Sequence, residues 1–205
     1  MQVTETKLPG VYVIEPKVFH DERGYFYESY SEKAYKQFFN TDFVQENQSL
    51  SKHGVLRGLH FQLPPYAQSK LVRVTKGAVL DVAVDIRVGS PTFGQYVAVY
   101  LSDTNHKQLY IPRGFAHGFV TLSDEAIFQY KCDNPYAPGY EGSIAWNDPD
   151  INIEWPLIEK DLTISGKDRL APKLKDAKQL FDYKEFLYGS WSKCSNIKTE
   201  NNNID

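Results

Sequence analysis

Between residues 54 and 73 the segment GVLRGLHFQLPPYAQSKLVR sets Arg57, His60, Gln62, Gln68, Lys70 and Arg73 among apolar, strand-like residues. Polar groups of this kind are costly to bury without partners, so they either face solvent or line a pocket. A histidine with its ordinary pKa near 6.5 is about half available as a base at neutral pH. Alone, such a histidine is more often a hydrogen-bonded or exposed side chain than a catalyst. Strict alternation along a strand puts Leu56, Gly58, His60 and Gln62 on one face and Arg57 on the other, which is awkward if Arg57 and His60 serve one site. Gly58 stands between them, where a bulge or a close ligand approach is easiest.

Three further groups qualify. In IPRGFAHGF (111–119), His117 lies between two glycines, which fits either a turn with a core histidine or a pocket floor that a ligand approaches closely. In AIFQYKC (126–132), Phe128 and Tyr130 share a strand face, and the phenol is either a hydrogen-bonded core group or a proton donor. In SGKDRLAP (165–172), Lys167 and Asp168 fall in a loop, where a solvated charge pair is the plain reading. A metal centre is not expected. No His-x-His occurs, and the position two after His60 is Gln62, a poor substitute for imidazole around a metal. No glycine-rich phosphate loop or G-x-S-x-G elbow is found, and Cys132 has no recognised nucleophile context.

The elements that must position these groups read as strands. Alternating runs at 11–16, 70–75, 78–87, 94–102 and 126–132 are separated by Gly, Pro, Asn and Asp, the spacing of an antiparallel sandwich or barrel. Over 78–87, Leu80, Val82, Val84 and Ile86 share one face, and Val79, Asp81, Ala83 and Asp85 the other. Lys76-Gly77 predicts a tight hairpin turn and GSPTFG (89–94) a longer one. Helices are predicted only over 31–39 and 176–189. With aromatic residues at 14% and a single Met, the composition favours strands.

At 205 residues the chain fits one globular domain with a short appendage and, after Ser190, a polar tail. A net charge of −3 gives little support to nucleic-acid binding, and any anionic ligand must be met by local arginines and lysines. Two cysteines, no signal-peptide pattern and no long apolar run predict a cytoplasmic protein that neither relies on disulfides nor spans a membrane.

Taken together, PKVFHDERGYFYES (16–29), FVQENQSLSKHGVLRGLHFQLPPYAQSKLVRV (43–74), DVAVDIRVGSPTFG (81–94), QLYIPRGFAHGFVTLSDEAIFQYK (108–131), WNDPDINIEWP (146–156) and SGKD (165–168) closely resemble the dTDP-4-dehydrorhamnose 3,5-epimerases. The resemblance runs to Pro172 and implies an all-β fold, a cupin-type antiparallel β-sandwich or jelly-roll barrel with few short helices. Residues 1–172 then form the epimerase domain and 173–205 a helical appendage with its tail. It also implies no metal or other cofactor, a dTDP-4-keto-6-deoxy sugar as substrate, and a homodimer that exchanges an N-terminal strand.

Carried over by position, His60 matches the family's base, Tyr130 its acid and Asp168 the carboxylate that orients the base. Lys70, Arg57, His117, Arg23, Glu28, Gln45 and Asn47 match substrate-contacting positions, and Glu141 and Lys167 match more loosely. A 4-keto group acidifies the hydrogens on C3 and C5, so a base can leave an enolate without a redox cofactor. Lys70 suits the enolate oxygen, a role worth roughly 3 kcal/mol in comparable sites. Arg23 and Arg57 suit the diphosphate, and Phe19, Phe26 and Tyr136 suit stacking on the base. Epimerisation at only one carbon, keto-isomerisation and non-catalytic sugar-nucleotide binding are the alternatives. Retention of His60, Tyr130 and Lys70 argues against the last two.

Overall fold

The computed structural model describes residues 1–187; the tail after Ser190, Cys194 and the final residues of the helix expected over 176–189 lie outside the described residues. Its strands are β1 (Gln2–Glu5), β2 (Tyr12–Glu15), β3 (Phe19–Asp21), β4 (Gly24–Phe26), β5 (Gln45–Lys52), β6 (Val55–Gln62), β7 (Lys70–Lys76) and β8 (Ala78–Asp85). There follow β9 (Arg87–Val88), β10 (Tyr96–Ser102), β11 (Gln108–Ile111), β12 (Phe115–Thr121), β13 (Glu125–Cys132), β14 (Glu141–Ser143), β15 (Thr163–Ile164) and β16 (Phe181–Asp182). Helices are short: α1 (Glu32–Tyr35), α2 (Gly166–Arg169) and α3 (Tyr183–Leu187). None is long and apolar enough to cross a membrane.

One antiparallel sheet has the order β1-β2-β11-β7-β13-β5; the other runs β10-β8-β12-β6-β14, with β15 joining β6 in parallel. They face each other as an all-β, cupin-type sandwich. Between them lie Val72, Val74, Val79, Ala83, Leu109, Phe119, Ala126 and Phe128, drawn from both sheets. The more apolar face of β8 points the other way. Val82, Val84 and Ile86 pack with Leu59, Phe61, Ile144, Ile151, Leu174 and Phe181, so the chain from 144 to 181 straps the outside of the second sheet. Both faces of β8 are thus covered, and the inward face has room for Asp81.

Three local expectations change. Gly77 does not close a hairpin, because β7 and β8 belong to different sheets. It turns a corner at φ +76°, where a Cβ would meet the Glu125 carbonyl and the Ser123 hydroxyl. The helix expected over 31–39 is confined to Glu32–Tyr35 and a following turn, pinned by Tyr35 and Phe39 packing with Tyr110. Within 176–187 the α-helix is confined to Tyr183–Leu187. Leu174 and Phe181 are instead buried against the second sheet, each burial contributing roughly 1.5–3 kcal/mol, and Phe181–Asp182 pairs in parallel with Arg87–Val88. The longer turn at 89–94 does lead β8 into its antiparallel partner β10. It is fastened by Ser90 and Thr92 donating to Asp85, whose carboxylate is also held by the buried Arg87 guanidinium.

Candidate active site

The strand that carries most of the chemistry contains the bulge foreshadowed at Gly58. In the β6–β12 ladder His60 opposes His117 while Arg57 opposes Phe119, so three steps on β6 match two on β12. The extra residue shifts the alternation by one and brings Arg57 and His60 to the same cavity. Gly58 has φ +126°, and a Cβ there would lie 2.6 Å from Gly118 Cα and 2.8 Å from the His117 carbonyl oxygen. Only glycine fits without moving backbone.

The cavity has a volume of about 580 Å³. Its walls include Arg57, His60 and His117 from the second sheet and Asn47, Lys70 and Tyr130 from the first, with Lys167 and Asp168 closing one side from α2. His60 Nε2 lies 2.6 Å from Asp168 Oδ1, and the carboxylate is almost fully buried. A carboxylate accepts, so Nε2 carries the hydrogen and Nδ1 keeps the lone pair. Burial pulls the His60 pKa below its ordinary value, outweighing the hydrogen bond and charge of Asp168; Lys70 and Lys167 push it further down. The carboxylate favours the charged imidazole, but the net direction is toward the neutral form. Asp168 is fixed in turn by Ser165, whose Oγ caps α2 by accepting the Asp168 N–H at 3.1 Å.

Tyr130 stands on the opposite sheet, so base and phenol flank the cavity from two sides. Burial raises the Tyr130 pKa against the hydrogen bond from Asn47, its cross-strand partner, and the phenol keeps its proton at neutral pH. Gln45 Nε2 donates to Asn47 Oδ1 at 3.0 Å, and Gln45 Oε1 accepts the Tyr136 N–H at 3.0 Å. Lys70 Nζ lies 5.9 Å from the centre of the Tyr130 ring, and burial lowers its pKa. At the rim, Glu141 on β14 pairs with Lys167 at 2.5 Å, which raises the lysine pKa. The arrangement has a neutral imidazole on one side, a protonated phenol on the other and an ammonium group near the phenol. It is equipped to remove a proton from carbon, stabilise the resulting oxyanion and return a proton from a different direction.

Two contributors were not singled out from the sequence. Asp81, fully buried, lies 2.9 Å from His117 Nε2; burial raises its pKa and His117 opposes the rise. Its signal was a carboxylate between Val79 and Ala83 on a strand face, which needs a partner once buried. Ser165 was visible as the first residue of SGKD, a serine three before an acidic residue, which is a helix-start pattern.

The structure does not bring Phe19, Arg23, Phe26 or Glu28 to the cavity of their own chain. The first three lie on the β3–β4 hairpin, where Phe26 is 71% and Phe19 53% exposed, and among the described residues Arg23 pairs with Asp21 alone. Gln62 is occupied elsewhere: its amide nitrogen donates to the carbonyls of Tyr66 and Pro135, and its oxygen accepts from Ala137 N. Among the described residues no group of three or more His, Cys, Asp or Glu is placed to hold a metal ion.

Residues 5–176 match the family model for dTDP-4-dehydrorhamnose 3,5-epimerase. The enzyme of that name from Salmonella typhimurium is 55% identical over 179 residues, 86% of this chain and 97% of that protein. A crystal structure of the dTDP-6-deoxy-D-glucose-3,5-epimerase of Legionella pneumophila, in complex with dTDP-4-keto-L-rhamnose, is 48% identical with a TM-score of 0.85, covering 89% of this chain and 98% of that one. A 3'-monoepimerase from Streptomyces bikiniensis in complex with dTDP-quinovose is 32% identical, also with a TM-score of 0.85, over 92% of this chain and 98% of that one.

Proposed function

Since the chain belongs to the dTDP-4-dehydrorhamnose 3,5-epimerase family, we propose that it converts dTDP-4-dehydro-6-deoxy-D-glucose to dTDP-4-dehydro-L-rhamnose in deoxysugar biosynthesis by inverting C3 and C5. The observation that carries this reading is a single cavity with the His60–Asp168 pair on one side and Tyr130 on the other. His60, neutral at physiological pH, takes the proton from the carbon beside the ketone, and Asp168 steadies the imidazolium that forms. The electron pair left behind moves onto the C4 oxygen, where the Lys70 ammonium meets it. Tyr130 then delivers its phenolic proton to the opposite face of the same carbon and regains one from solvent, while His60 returns its proton to solvent. The cycle runs once at each carbon and consumes nothing.

The diphosphate needs cations near the cavity, and Arg57 and Lys167 supply them from within the chain. In this reading His117, held by Asp81, and Asn47, held by Gln45, contact the sugar, and Glu141 steadies Lys167 at the rim. Arg23, Phe19, Phe26 and Glu28 belong to the proposal through a second copy. In a cytoplasmic homodimer the exposed β3–β4 hairpin of each chain covers the partner's cavity, adding a guanidinium for the phosphates and rings for the thymine. Support comes from two large aromatic side chains left facing outward beside an arginine paired only with its own hairpin.

The likeness to a 3'-monoepimerase shows that the fold serves single as well as double inversion. Incubation of the 4-keto-6-deoxy nucleotide in deuterated water distinguishes the two. Deuterium at both C3 and C5 is expected from the wild type and at neither from His60→Ala. Label at C3 alone would replace the double reaction by the single one.

A further inference from the structure

We propose that Ser165 is a positioning residue for the base: by capping α2 it holds Asp168 where the carboxylate orients His60. The inference rests on the epimerase reading above and concerns a residue at the edge of the cavity wall to which that reading gives no part in the proton transfers. Ser165 has extended backbone (φ −65°, ψ 154°), and its Oγ accepts the Asp168 N–H at 3.1 Å; the Arg169 N–H reaches the Ser165 carbonyl at 3.0 Å. Helix α2 has only four residues. A helix this short has little cooperative stability of its own, so its geometry depends on the cap and on what precedes it.

What precedes it is β15, paired in parallel with β6 through Thr163 opposite Val55 and Ile164 opposite Leu56. The same strand β6 carries His60. A closed circuit therefore runs from His60 down β6, across to β15, through the Ser165 cap to Asp168, and back to His60 by the 2.6 Å contact. The second oxygen of Asp168 also faces the bulge, 3.5 Å from the Gly58 N–H. The Arg169 N–H bond to the Ser165 carbonyl and the Lys167–Glu141 pair also hold α2, but the serine hydroxyl is the link that meets the Asp168 backbone itself. Without it the Asp168 N–H loses its acceptor, and the first turn of α2 can shift by an amount that a 2.6 Å contact does not tolerate.

The experiment compares wild type with Ser165→Ala, Ser165→Gly and Ser165→Thr, measuring kcat and KM for exchange across pH, the Kd for dTDP, and Tm. Removing the hydroxyl should lower kcat roughly five-fold, the equivalent of a lost serine cap. The acid limb of the pH profile should move to lower pH, since Asp168 is the partner that raises the His60 pKa. KM and the dTDP affinity should stay unchanged, and threonine, which offers the same oxygen, should restore both kcat and the acid limb. Glycine, which also lacks the hydroxyl but is a better N-cap than alanine, should move kcat and the acid limb in the same direction by less, which keeps the test valid if alanine fails to fold. A lower Tm with unchanged kcat and acid limb would show a cap for stability alone and overturn the inference. So would a raised KM with an unmoved acid limb, which would make Ser165 a substrate contact. A wild type that exchanges neither carbon would instead bring down the epimerase reading.

Discussion

Replacing Asp168 by Asn keeps the shape of the side chain and removes its charge, so the consequence can be worked from the His60 contact. The pair meets at 2.6 Å with the carboxylate almost fully buried, which makes it a charge-assisted hydrogen bond shielded from water. Such bonds contribute about 1.5–3 kcal/mol, and if that stabilisation is realised when the imidazole becomes charged, kcat falls roughly 10- to 150-fold. The tautomer is at stake as well. If the Asn oxygen turns toward the Gly58 N–H, its amide nitrogen faces His60 Nε2 and donates to it, moving the hydrogen to Nδ1 and removing the free lone pair. The acid limb also shifts. Asp168 raises the His60 pKa, and burial with Lys70 and Lys167 lowers it; with the carboxylate gone only the lowering influences remain. The remaining activity should therefore persist to lower pH than in the wild type. Solvent-exchange kinetics between pH 4 and 9, with dTDP affinity measured in parallel, provide the check. A kcat within two-fold of wild type, or an acid limb displaced upward, would refute the assignment of Asp168 as the partner of the base.

Mixing Arg23→Ala and His60→Ala chains under exchange conditions should recover up to half the activity per mixed dimer, because one of its two sites then carries both lesions and the other neither. Mixed dimers confirmed by mass with no recovery would mean that each cavity is built from one chain. Activity should survive dialysis against a chelator, since Gln62 is committed to three backbone partners; stoichiometric metal whose removal abolishes activity would contradict this. Gly58→Ala forces a Cβ to 2.6 Å from Gly118 Cα at a positive φ, which should cost at least ~2 kcal/mol and lower Tm by roughly 4–8 °C, together with most of the exchange activity. A Tm within a degree of wild type would show that the bulge relaxes at no cost.

The strands were legible because alternation is a local property: β2, β7, β8, β10 and β13 fall where the pattern placed them. What escaped was where each face goes. Val82, Val84 and Ile86 could be read as sharing a face, but their cover includes a segment more than fifty residues downstream, and nothing near β8 records it. The same reason undid the helix over 176–189, whose apolar Leu180 and Phe181 serve that cover and not a helical stripe. Gly77 marks a left-handed turn in either case, and the sequence around it does not say whether the two strands then pair. At the site, the polar residues of β6 and β7 announced themselves by interrupting apolar runs. The bulge could be located at Gly58, but its direction depended on Gly118 and His117 across the ladder. Asp81 and Ser165 act through other residues, and such roles need distances. The β3–β4 hairpin is the converse case, with residues recognisable by resemblance that do not line the cavity of their own chain.

The strap over the second sheet also sets an order of assembly. His60 and Asp168 are 108 residues apart, with most of the sandwich between them in sequence. A growing chain has completed β5 through β13, and with them Lys70, Tyr130 and the imidazole, before the carboxylate is made. Closing so long a loop is among the slower events in folding, since its entropy is lost before the contact returns anything. A nascent or truncated polypeptide therefore carries His60, Lys70 and Tyr130 while one wall of the cavity and the partner of the proposed base are still missing, and the site is complete only when the last part of the domain wraps around the first.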